Sequence, residues 1–103
     1  MARYLITYHM EGHPDPAAMA KTREAFMVWA AKTGAALVDP GAPVGSTSTV
    51  AGGGLERDAR SDLPFNGWSV IEAPDADAVA QMLSDHPFIG RGGTLQINAP
   101  VDF

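Results

Sequence analysis

Asn66–Pro100 reads NGWSVIEAPDADAVAQMLSDHPFIGRGGTLQINAP. Trp68–Glu72 is apolar and β-branched in its middle, the composition of a strand. Pro74 and Asp75 start a helix. Asp75 is placed as N-cap and Asp77 in the positive first turn. Val79, Met82, Leu83 and His86 follow at helical spacing and share one face. Pro87 has no N–H to give and restricts the residue before it, so the helix is expected to stop there. Gly90, Gly92 and Gly93 make a turn. Thr94–Asn98 then alternates, with Leu95 and Ile97 pointing one way.

The same order of elements precedes it. Arg3–His9 is rich in Tyr, Ile and Thr, as strands are. Tyr4, Ile6 and Tyr8 fall on one face, Leu5, Thr7 and His9 on the other. A strand apolar on both faces should be central and covered twice. Asp15-Pro16 opens a helix with an N-cap and a proline at the first helical position. Met19, Thr22, Phe26, Trp29, Ala30 and Thr33 form its inner stripe, and Gly34 is the C-cap. Ala35–Asp39 is a short strand ended by Pro40-Gly41. Residues 40–65 are a Gly/Ser/Thr/Pro-rich insertion. A structureless loop of that length is uncommon in a small domain. Val44–Ala51 is therefore expected to form an edge strand or partner contact, and Gly52–Asp62 a mobile or hairpin-like loop.

The order β-α-β, loop, β-α-β predicts one α+β domain over residues 1–103. Its arrangement is ferredoxin-like: a four-stranded antiparallel sheet with two helices on one face. The second face also carries apolar residues. A second copy is the simplest cover, and two-fold dimers are the commonest oligomer. The 46% hydrophobic content of the 103 residues argues against disorder. A net charge of −5 argues against nucleic acid and against anionic membrane surfaces as partners. The absence of cysteine excludes disulfides, thiolate catalysis and zinc–thiolate sites. No signal peptide is legible in MARYLITYHMEG, and no segment approaches the ~20 apolar residues of a membrane span. A cytoplasmic protein is the expectation.

This topology would collect His9, His13, Asp15, Asp39, Trp68, His86 and Gly92-Gly93 at one edge of the sheet. His86 is expected at the negative end of a helix, which favours its protonated form. An oriented histidine next to a carboxylate is the usual general base. Asp39 is the candidate partner, and His9 is the second candidate base. The alternatives are a helix-capping His86 and a half-exposed His9 at a strand end. His9 and His13 form H-x3-H with Glu11 and Asp15 nearby, a conceivable nitrogen–oxygen metal site. The spacing lies in a turn, so no metal is assigned. Trp29, Trp68 and Phe26 are candidate walls of an aromatic pocket, against the commoner role of such residues as core. Gly52–Gly54 lacks a following Gly-Lys-Ser/Thr, so no nucleotide or other cofactor is expected.

The strand ending in Ile71-Glu72-Ala73, the Ala-rich helix, the His86-Pro87-Phe88 step, Gly92-Gly93-Thr94 and the last strand resemble the C-terminal half of the YCII-related family. Arg3–His9 resembles that family's opening strand. The likeness covers residues 1–39 and 66–100. It implies a dimeric α+β barrel. It also implies a catalytic pair: a histidine on the first helix and a carboxylate near the X-Pro step. Here Phe26 occupies the helical region and His86 the X-Pro position. Either the pair is exchanged, with His86 as base and Asp39 as its carboxylate, or the feature is absent. Two function classes follow. One is a small cofactor-independent enzyme moving a proton on a small, flat substrate. The other is a non-catalytic dimeric module that binds a small molecule or supports another protein.

Overall fold

The computed structural model describes residues 1–12, 16–56 and 64–101. The central strand β1 (Ala2–His9) leads to α1 (Pro16–Thr33), a 3-10 turn at Gly34–Ala36 and β2 (Leu37–Pro43). A hairpin of β3 (Thr49–Ala51) and β4 (Gly54–Glu56) follows. The second half contains β5 (Gly67–Ala73), α2 (Ala76–Leu83), the short α3 (Pro87–Gly90) and β6 (Thr94–Asn98). The main sheet runs β2-β5-β1-β6, antiparallel throughout. That is the ferredoxin-like order expected from the sequence, with β1 between β5 and β6. No helix among the described residues is long and apolar enough to cross a membrane.

Alternation along β1 sends Tyr4, Ile6 and Tyr8 into the core on the helix side. There they meet Ile71 and Ala73 of β5, Val79 and Leu83 of α2, Trp29 of α1 and Phe88 of α3. Ile6, Ile71 and Val79 lose all contact with solvent. Each such side chain contributes about 1.5–3 kcal/mol by burial. Leu95 and Ile97 of β6 pack on the same cluster, as their alternation requires. Asp75 caps α2 by accepting the Ala78 N–H at 2.8 Å. Only Trp29 of the α1 stripe is buried; Met19 near the helix start is 51% exposed. The first half of α1 thus stands off the sheet, where the sequence pattern had a continuous inner stripe.

Three boundaries differ from expectation. The helix expected to reach His86 ends at Leu83, and Pro87 starts a new one with His86 as its N-cap. Proline at the first helical position explains this: its missing N–H is unneeded there and its φ is already helical. Pro40-Gly41 does not end β2. The strand continues to Pro43 through two register shifts against β5. β2 is the sheet edge, where proline and bulges are tolerated. Within Val44–Ala51 only Thr49–Ala51 is a strand, and it pairs with β4 across Gly52-Gly53 rather than with the main sheet. The rest of the expected loop, 57–62, lies outside the described residues.

Gly41 permits the second shift. Its φ is +69°, and a Cβ there would lie 1.7 Å from the Trp68 carbonyl oxygen. Gly34 has nearly the same φ, +68°, but faces open space. Gly34→Ala should cost about 1 kcal/mol, the strain of the left-handed region alone. Gly41→Ala should cost at least ~3 kcal/mol, because the β2–β5 pairing must also move. Denaturant titration separates the two; equal losses would mean that Gly41 is not pressed against Trp68.

Candidate functional site

β1 ends and α3 begins at the same place in the core. Alternation puts Tyr8 on the helix side, and the N-cap position puts His86 opposite it. Both are buried, at 8% and 3% exposure. The Phe88 N–H donates to His86 Nδ1 at 3.0 Å. A backbone N–H can only donate, so Nδ1 carries no proton and the neutral ring is protonated at Nε2. Nε2 then donates to the Tyr8 hydroxyl at 2.9 Å. The Tyr8 hydroxyl in turn shares a hydrogen bond of 2.9 Å with Ser69 Oγ. Ser69 is fully buried on β5. The result is a chain from Phe88 through His86 and Tyr8 to Ser69, directed as far as Tyr8.

Aromatic rings close around this chain. Trp29 lies 4.3 Å from the His86 ring, Phe26 5.7 Å from it, and Tyr8 meets it edge-on at 5.1 Å. Trp29 Nε1 donates to the Met82 carbonyl at 2.9 Å, which locks its ring against α2. Burial holds His86 at a pKa of about 4, against a small opposing pull from Asp85. Burial also raises Tyr8, partly offset by the bond to Ser69. Both groups are therefore neutral near pH 7. The expected protonated His86 at a helix C-terminus is corrected on both counts: it caps a helix N-terminus, and it is held neutral.

The expected His86–Asp39 hydrogen bond is not formed. The shift between Leu37 and Asp39 sets Asp39 opposite Val70. Val70 belongs to the sheet face away from the helices, so the bulge turns Asp39 from His86. Asp39 is exposed and accepts the Gly41 N–H at 2.8 Å. His9 is likewise on the far face. Its Nδ1 lies 2.6 Å from the Pro64 carbonyl and must donate to it. Its Nε2 meets Thr7 Oγ1 at 2.8 Å, and Phe65 packs edge-on against the ring at 6.0 Å. His9 and His86 thus serve separate networks. Of the metal candidates, His13 and Asp15 lie outside the described residues. Among the described residues no group of three or more His, Cys, Asp or Glu is placed to hold a metal.

A cavity of about 1050 Å³ opens between α1, the end of β2 and α3. Tyr8, Phe26, His86 and Phe88 border its inner side. Met10, Met19 and Met27 add flexible apolar walls, and Arg23 and Arg91 also line it. Of the three aromatic candidates, Phe26 and Trp68 border the cavity. Trp29 does not; it supports His86 from within the core. The sequence reading missed Tyr8 as a polar partner because its spacing matches the core stripe. It missed Ser69, one small hydroxyl in an apolar strand, and the two arginines, which are far apart in the chain.

Comparison with protein-family models and with curated proteins finds no match to this chain.

A histidine whose folded pKa lies below its unfolded value binds fewer protons in the folded state. Stability should therefore be full above pH ~6.5, fall on acidification, and level off below pH ~4, with a total loss of roughly 3 kcal/mol at most. His86→Gln should remove that acid-sensitive part of the stability curve. In an NMR titration Asp39→Asn should leave the His86 transition where it is; a displacement would restore a link between the two residues.

Proposed function

We propose that this chain is a cytoplasmic, YCII-like protein of the ferredoxin-like fold that binds a small molecule in the cavity between α1 and the sheet. The observation that carries this reading is the cavity itself. At about 1050 Å³ it can hold a drug-sized ligand, and it is mainly apolar with a few polar groups at one wall. The aromatic and methionine side chains suit a flat, apolar ligand body. An enzyme reading would now rest on Tyr8 beside His86 rather than on a histidine–carboxylate pair. His86 has both nitrogens engaged and is a poor base at neutral pH, which favours binding over proton abstraction.

The same proposal includes a homodimer. Leu5 is 44% exposed on the sheet face opposite the helices, with Val70 and Trp68 half-buried beside it. Arg3 and Glu72 face each other across β1 and β5 at 3.3 Å and flank this patch. A second copy laid on this face would cover it.

Methionine-methyl NMR tests the ligand site. A library of small aromatic compounds should contain members that shift the Met10, Met19 and Met27 methyls while Met1, 90% exposed at the chain start, stays fixed. A library that moves none of the three would sink the reading. Light scattering tests the dimer: the native chain should run as two copies, and Leu5→Glu should run as one. A native monomer would remove the dimer from the proposal.

A further inference from the structure

The charges around the cavity are the reverse of the chain's balance. The protein has 7 Lys and Arg against 12 Asp and Glu. Among the described residues lining the cavity, Arg23 and Arg91 are the only charged side chains. Elsewhere Arg3 is paired with Glu72, and Lys32 with Asp85. No carboxylate lies within ion-pair distance of Arg23 or Arg91 among the described residues. Arg91 has only soft neighbours: the Phe88 ring 5.7 Å from its guanidinium carbon, and Met10 Sδ at 3.9 Å from Nη2. Arg23 is exposed on α1, beside the stripe of Met19 and Phe26, and lines the cavity with them.

We infer that the cavity selects small organic anions: a flat apolar body between α1 and the sheet, with a carboxylate or sulfonate taken by Arg23 and Arg91. The inference rests on the cavity being a ligand site. A guanidinium presents a planar fork of donors that fits a carboxylate, and it keeps its charge at any physiological pH. A concave, low-dielectric wall strengthens that attraction relative to open water. The wall formed by Tyr8 and His86 carries no charge. Tyr8 accepts from His86 and is hydrogen-bonded to Ser69, so its hydroxyl is already engaged on two sides. A neutral hydroxyl gives an anion less than a guanidinium does, so the charged group is drawn to the arginines. A hydroxyl or an apolar edge suits the Tyr8 wall.

Calorimetry with naphthoate and its uncharged isostere naphthamide tests this on the full chain, with methionine-methyl NMR confirming the site. Naphthoate should bind about tenfold more tightly than naphthamide at low salt. Arg23→Gln should bring naphthoate close to naphthamide while leaving naphthamide unchanged; Arg91→Gln should do the same. Arg91→Lys, which keeps the charge, should retain part of the preference. Should the Arg91 variants fail to fold, the exposed Arg23 and a salt titration decide: salt should weaken naphthoate and spare naphthamide. Equal binding of both probes with the methionine methyls shifted overturns the anion preference and leaves the ligand site standing. A naphthoate preference indifferent to salt and to Arg23→Gln also overturns it. Binding by neither probe, with no methyl shifted, removes both readings.

Discussion

The Phe88 N–H can only donate, and the atom that receives it is His86 Nδ1. Two assignments follow without further assumption. His86 is protonated at Nε2, and Tyr8 accepts from it while sharing a second hydrogen bond with Ser69. A second proton on His86 would point Nδ1–H at a donor, in a place already hostile to charge. Geometry and desolvation therefore act in the same direction. The bond also does structural work. It caps α3, joins α3 to β1 through Tyr8, and brings β5 in through Ser69. Three elements distant in sequence are tied by polar groups that would each be costly if left unpaired.

Strand alternation places the second histidine in the opposite tautomer on the opposite face. His9, one residue after Tyr8, donates from Nδ1 to the Pro64 carbonyl. In its neutral form it accepts the Thr7 hydroxyl proton at Nε2. The Pro64–Asn66 segment is held there from two sides. Asn66 gives its N–H to the Tyr8 carbonyl at 2.7 Å and accepts the Met10 N–H on its side chain at 2.7 Å. One two-residue step at the end of β1 thus organises both faces of the sheet. Neither histidine is left free to serve as a base for the other's network.

Much of this architecture was legible in the residues. Period-two and period-3.6 patterns located the four main strands and two helices, and Asp75 was readable as a cap from its position before an Ala-rich run. What was not legible came from two local choices. Pro87 was read as a stop when it is also a start, so His86 changed from one helix's end to another's beginning. The bulge at Asp39 has no sequence signature of its own. The second shift, after Asp39, depends on Gly41 approaching the Trp68 carbonyl, a contact between segments more than twenty residues apart. A single register shift carried Asp39 to the other face and dissolved the expected pair. His86 and Phe26 kept a place at the cavity wall because their faces were set by helical spacing and by the N-cap, which no distant strand could reverse.

The weak point of the packing is also where the cavity opens. α1 is fastened at its C-terminal half, by Trp29 against Met82 and by the Lys32–Asp85 pair. Met19, in its N-terminal half, and Met27 remain 51% and 62% exposed while lining the cavity. A fold of this size has little stability to spare, and methionines exposed by half or more contribute only part of their burial energy. An occupant would recover part of that energy by covering them. Its binding would be coupled to the docking of α1 and would raise stability by mass action. Methionine suits the task, because its flexible thioether can fit ligands of different outline without a fixed cost in packing. The rigid part of the site is then the Tyr8–His86–Ser69 chain, and the adaptable part is the first half of α1.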